Sequence, residues 1–416
     1  MNREMLERRR ALEALRAGVP NRDVVRLLPP EQADLDARFH TLLAETEKGW
    51  EDGKQAPGLL LEGDFGTGKS HWLEYFRHLA FESHFVVSTV VLNKETPLHD
   101  LAKLFRACVE SAAIPGKVGP ALEEIAHAYE VDGHARFAEL IEWLHATPGL
   151  DPRYAATLCL FARNPSEYLR EKIIAEWTGY PMRVSDLRAA LREMELTRYQ
   201  VAAPERGAIL QRFAFLNRFF QAAGYTGWAI LFDETEMISK YSVRQRGKAY
   251  AHLAQLLGLV KGTATPGLAT VFTITKDYTG QVLYGRKNDL EMIPARLQNT
   301  RDEGLTAAAE TGMRAIKSKG VELRPPTRAQ VQGIYHKVAD LYAGAYAWQT
   351  PDVAEVREYA ASTGMRQYVR SWINAWDLRR LYDVQAETVV ETVATSYEED
   401  ADLQHDASDD EPQITL

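Results

Sequence analysis

In the stretch GLLLEGDFGTGKSHWLEYF, residues 58–76, three glycines, a lysine and a serine crowd into eight positions directly after an apolar run. Gly63, Gly66, Gly68, Lys69 and Ser70 satisfy the spacing G-x-x-x-x-G-K-[ST], whose glycines let backbone N–H groups turn inward around phosphates. Leu59-Leu60-Leu61 reads as a short buried strand, and SHWLEYFRHLAF as a helix opening at Ser70. The helix N-terminus adds the positive end of its dipole. Lys69 is expected to reach the β- and γ-phosphates, and the Ser70 hydroxyl to ligate Mg²⁺. The candidate nucleotide-binding residues are Gly63, Asp64, Phe65, Gly66, Thr67, Gly68, Lys69, Ser70 and His71.

Hydrolysis needs more than a phosphate loop. In WAILFDE, four apolar residues lead into Asp233 and Glu234 at a strand's end. Asp233 is the expected Mg²⁺ holder and Glu234 the base that polarises the attacking water. The guanine signature N-K-x-D is missing: NKET at 93–96 lacks the acid, and TKDY at 275–278 lacks the Asn and the spacing. The expected nucleotide is therefore ATP. Thr275 ends a further strand, VFTIT, and is either a strand-end threonine or the residue that senses the γ-phosphate in AAA+ ATPases. Asn93, after the second strand, suits either a hydrogen bond to Glu234 or a turn. Arg366 is a candidate to reach the phosphates from a C-terminal lid, with Arg370 competing one turn on. Arg296 and Arg301 are candidates for an arginine finger acting on a neighbouring subunit, which implies a homo-oligomer; each also suits an ordinary surface arginine.

With 416 residues the chain has room for more than one core. It carries no apolar run of membrane-spanning length and no leader-like apolar segment, which points to the cytoplasm and no membrane. Two cysteines, Cys108 and Cys159, without C-x-x-C, argue for a reducing compartment and against structural zinc. From Val384 onward there are ten acids and no Lys or Arg; without them the formal net charge moves from −9 to +1. That acidic tail reads as disordered, serving either solubility or as an autoinhibitory DNA mimic or partner hook.

Helices alternate with strands, so the expected fold is α/β: a P-loop NTPase of AAA+ type, a parallel sheet flanked by helices, then an all-α lid. The expected divisions are N-terminal helices at 1–55 and an ATPase core at 56–294 with a helical insertion over about 98–223. A helical lid follows at 295–383 and the acidic tail at 384–416. KYSVRQRGKAY, with Lys240, Arg244, Arg246 and Lys248, is the best basic stretch for DNA, or else a solvated helix face.

Three stretches carry a resemblance: ALRAGVPNRDVVRLL, GDFGTGKSHWLEYFRHLAFESHFVVSTVVLNKETPL, and EWTGYPMRVSDLR followed by GYTGWAILFDETEMISKYSVRQRGKAYAHLAQLL. They resemble the BREX-system ATP-binding domain family, BrxD-like AAA+ ATPases of bacteriophage-exclusion and related anti-phage islands, over most of residues 3–383. The resemblance implies an ATP-dependent component that engages double-stranded DNA beside helicase or nuclease partners. It also implies that the N-terminal element lies near the adenine, with Val19, Pro20 and Arg22 in that pocket. One departure is plain: related loader ATPases carry a DNA-reading winged helix after the lid, whereas here only 33 residues follow Asp383, ten of them acidic and none Lys or Arg. Two functions compete, an ATP-hydrolysing motor or loader and a nucleotide-gated scaffold. Glu234 favours the first, since a scaffold needs no base.

Overall fold

The structure is a computed structural model and describes residues 3–18, 21–117, 119–132, 138–203, 209–298, 302–353, 364–384 and 397–400. Its frame is a sheet of β1 (Leu59–Glu62), β2 (Val86–Val91), β3 (Trp228–Asp233), β4 (Leu268–Ile274) and β5 (Gly320–Glu322), in the order β2-β3-β4-β1-β5 with all pairs parallel. Val91 pairs with Asp233 and Phe232 with Phe272, where the two rings stack at 4.4 Å. Every residue of β3 and β4 is buried, as a parallel sheet covered on both faces requires. Side chains alternate between two cores. Leu60, Val86, Ile230 and Phe272 face one, and Leu61, Val87, Leu231 and Val271 the other.

The second core is closed by α3 (Ala33–Asp52) and by α4 (Lys69–Glu82), where Phe39 stacks on Phe76 at 4.0 Å. On the first face lie α5 (Leu101–Glu110), α6 (Ala121–Asp132), α7 (Ala138–Ala146), α8 (Pro152–Ala162), α9 (Glu167–Thr178), α10 (Val184–Glu193) and α11 (Ile209–Ala222). Within this insertion Glu176 is a buried hub, accepting from Arg153 Nη2 at 2.5 Å and from the Met182 amide at 2.6 Å. Burying that charge is tolerable only because it is paired and fully hydrogen-bonded.

α12 (Val243–Leu256) packs along α14 (Glu303–Lys319), and both touch α13 (Asp289–Gln298). Of the 295–383 stretch expected as a lid, α14 lies on α12 and β5 joins the sheet beside β1. Two further helices follow, α15 (Arg328–Tyr346) and α16 (Met365–Tyr382). They share a third core with α1 (Arg3–Ala17) and α2 (Arg22–Leu27), in which Leu12 and Val24 meet Val338, Tyr342 and Trp372. Arg16 Nη2 clamps the Asp377 carboxylate at 2.7 Å across that contact. α1, α2, α15 and α16 thus form one packed unit.

The acidic tail also departs from expectation. Tyr397–Asp400 is seated against the body, with the Asp400 amide donating to Lys240 O at 3.1 Å; the rest of 385–416 lies outside the described residues.

Candidate functional site

The loop between β1 and α4 is shaped by glycines. Gly66 and Gly68 sit at φ +81° and +100°, backbone that L side chains rarely adopt, and a Cβ on Gly63 would stand 2.5 Å from Thr67 Oγ1. Phe65 at the loop tip is 46% exposed. Lys69 opens α4 and is 8% exposed, its Nζ donating to Gly63 O at 2.9 Å. The ammonium thus sits at the mouth of the loop, held by a backbone carbonyl.

β4 lies between β1 and β3, so the acids ending β3 face the loop. Ser70 Oγ–H donates to Asp233 Oδ2 at 2.6 Å, while Asp233 Oδ1 accepts from Thr273 Oγ1 and from the Glu234 amide at 3.0 Å. Three donors lock that carboxylate. Glu234 takes left-handed backbone at φ +65°, turning its side chain away from the strand line. Burial, then the Asp233 charge, push its pKa up, while Lys69 and Arg366 pull it down. Glu236, in the short 3-10 helix that follows (Thr235–Lys240), is buried with Oε1 3.9 Å from Lys69 Nζ. Burial raises its pKa to about 7 against the pull of Lys69, and its Oε2 has no hydrogen-bond partner among the described residues.

Beside the loop opens a cavity of about 490 Å³. Leu15, Gly18 and Leu28 line one wall, Gly66–Gly68 and His71 the floor, and Ile334, Arg366 and Val369 the other wall. His71 Nε2 lies 2.8 Å from Leu28 O. Burial lowers the His71 pKa, so the neutral ring donates to that carbonyl and ties α4 to the N-terminal helices. The start of α16 touches the loop itself: a Cβ on Gly364 would lie 2.9 Å from Gly66 O.

Lys69, Ser70, Asp233, Glu234 and Arg366 therefore converge. Thr275 is buried just past β4, its Oγ1 2.8 Å from Tyr397 Oη. Arg366 bends around Gly18, its Cδ 3.1 Å from where a Cβ there would stand. Arg370 is exposed and outside the cavity lining, and so are Arg22 and, on α13, Arg296. Val19, Pro20 and Arg301 lie outside the described residues. Asn93 takes the turn alternative, its Oδ1 accepting from the Glu95 and Thr96 amides, both at 2.9 Å. The DNA reading of the basic stretch fails at Arg246, which is 2% exposed and 3.0 Å from the fully buried Asp289.

Sequence reasoning missed Thr273 and Glu236. The first was findable, because Thr273 and Thr275 alternate at period two and so share one sheet face. Among the described residues no helix is long and apolar enough to cross a membrane.

No curated protein and no solved structure matches the chain. The family model of the BREX system ATP-binding protein BrxC/D matches residues 5–145 and 201–372. The stretch EWTGYPMRVSDLR, residues 176–188, which carried part of the resemblance, falls between these segments, while the loop, Asp233, Glu234, Thr275 and Arg366 fall inside them. On a match that spans well over half of the sequence and takes in both halves of the site, the chain belongs to the BREX system ATP-binding proteins of the BrxC/D family.

Proposed function

We propose that the chain is an AAA+ ATPase that hydrolyses ATP while engaging double-stranded DNA, working as a homo-oligomer beside helicase or nuclease partners in anti-phage defence. The observation that carries this reading is the Ser70–Asp233 contact at 2.6 Å with Lys69 and Glu234 on either side of it. A hydroxyl and a carboxylate oxygen side by side are the hard donors Mg²⁺ prefers. Ser70 and Asp233 would hold the ion, which when bound neutralises charge on the phosphates. Lys69 then exchanges its carbonyl for phosphate oxygens. Glu234, made more basic by burial, takes the proton of the attacking water. The placing of β4 between β1 and β3 supports the sensor role for Thr275, and the approach of α16 to the loop supports a lid role for Arg366. The apolar wall of the cavity suits an adenine ring, with the Gly66–Gly68 floor leading to the phosphates. Arg296, exposed on α13, suits a finger reaching a neighbouring subunit.

Steady-state hydrolysis of Mg²⁺-ATP, with and without double-stranded DNA, tests the reading. Turnover that DNA stimulates is the expected result. Tight ATP binding without turnover under both conditions would favour the nucleotide-gated scaffold.

A further inference from the structure

Tyr397–Asp400 makes contacts that the packing of the body does not require. Tyr397 donates its hydroxyl to the Asp277 carboxylate and sets its ring edge-on to Tyr278, centroids 6.1 Å apart. Glu399 Oε1 lies 2.6 Å from Arg246 Nη1 and 3.6 Å from Lys287 Nζ. The Asp400 carboxylate reaches Lys94 Nζ at 3.0 Å, and its amide donates to Lys240 O at 3.1 Å. Lys94 follows β2, Lys240 follows β3 and Thr275 follows β4. The segment thus crosses the carboxyl edge of the sheet, the side on which open α/β sheets take ligands.

Proton counting gives this contact a consequence. A tyrosine hydroxyl has one proton, and that of Tyr397 is given to Asp277. The 2.8 Å contact with Thr275 must then run the other way, Thr275 Oγ–H donating to Tyr397 Oη. Thr275 also has one proton, and it is spent on the tail.

We propose that this groove is a binding site for a tyrosine-led acidic peptide, and that its occupant is the chain's own Tyr397–Asp400, a latch that withholds Thr275 from the nucleotide. The slot of Thr275, Asp277 and Tyr278 takes the aromatic ring, and the rim of Arg246, Lys287 and Lys94 takes the carboxylates. Arg246 is already paired with Asp289, so Glu399 adds a second acid to a satisfied guanidinium. Glu399 and Asp400 keep about a third of their side chains in solvent, and the Lys94–Asp400 pair is open on both sides and screened by salt, so the latch is releasable. The regulatory half of this inference rests on Thr275 sensing the γ-phosphate; the binding half does not.

The test uses the full chain and three variants: Tyr397→Phe, the double variant Glu399→Gln with Asp400→Asn, and Lys287→Gln on the body side. Hydrogen exchange at the Asp400 amide, without nucleotide, reads docking. We expect exchange to quicken at least fivefold in each variant and in wild type at high salt. An Asp400 amide as fast in wild type as in the variants overturns the site. Protection that vanishes on dilution overturns the occupant, since the segment then comes from a second copy. Hydrolysis reads the latch: turnover should rise at least twofold in Tyr397→Phe, and an added peptide of sequence SYEEDAD should lower it again. Protected docking with turnover unchanged in all three variants overturns the latch. A wild-type chain and variants that bind ATP without cleaving it overturn the ATPase reading and with it the latch, while exchange still decides the site.

Discussion

A buried carboxylate with one oxygen unsatisfied is an expensive residue, and Glu236 is one. Its pKa of about 7 stands above the ordinary 4.5, so between those values the folded chain holds a proton that the unfolded chain has released. Stability from this group is therefore greatest at acid pH, falls as pH rises from about 4.5 to 7, and is level above that. A shift of this size corresponds to roughly 3 kcal/mol, with the pull of Lys69 already included in it. Glu236→Gln removes the ionisation while keeping the shape. Denaturant titrations without nucleotide should find the variant more stable than the parent at pH 8 and equal to it near pH 4.5. Parallel pH profiles would mean that Glu236 carries no such cost. The acid was hidden from sequence reasoning because DETE shows its composition but not that the turn after Glu234 points the second glutamate back at Lys69.

Elements whose signals are local were legible, and those completed by distant partners were not. The loop was readable because strand, glycine turn and helix are adjacent in sequence, and β3 because four apolar residues precede its acids. β5 escaped because three residues carry no period; only its pairing with β1 makes Gly320–Glu322 a strand. The basic stretch on α12 misled because charge composition cannot distinguish a solvent face from a guanidinium whose partner, Asp289, lies 43 residues on. That α1 and α2 share a core with α15 and α16 was hidden for the same reason, since Leu12 and Trp372 come into one cluster only in the folded chain. This shared unit touches the loop through α16. Gly364 allows that approach, because a Cβ there would press on the Gly66 backbone at 2.9–3.1 Å. Neither backbone yields cheaply, so Gly364→Ala should push the start of α16 outward and carry Arg366 with it. ATP affinity by calorimetry is expected to fall on the order of tenfold, about 1.4 kcal/mol, with the melting temperature within a few degrees of the parent. Unchanged affinity would place Arg366 outside the nucleotide site.

At the scale of the whole molecule, the site has its loop, its acids and Arg366 within one chain, and the second arginine lining the cavity, Arg324, is paired with Asp34 at 2.9 Å. Arg296 is exposed on α13 and does not line the cavity, so any charge it lends to a phosphate must be lent to another copy. In the proposed homo-oligomer, assembly and nucleotide state would be a coupled pair, because a ligand that binds across an interface stabilises the interface by the same free energy. Glu234→Gln separates the two. Gln keeps the size and reach of Glu but accepts no proton, and loss of a general base typically costs about 10²–10⁴-fold in rate. Binding rests on the loop amides, Lys69, Ser70 and Asp233, none of which changes. The variant should therefore hold ATP uncleaved and remain assembled, whereas with ADP it should fall apart, having no γ-phosphate for the neighbouring arginine to reach. Size-exclusion chromatography with light scattering, run in each nucleotide, reads this directly. A monomer in both would remove the finger, and undiminished hydrolysis would remove Glu234 as the base. Assembly with ATP that Arg296→Ala abolishes would identify the arginine that completes the site.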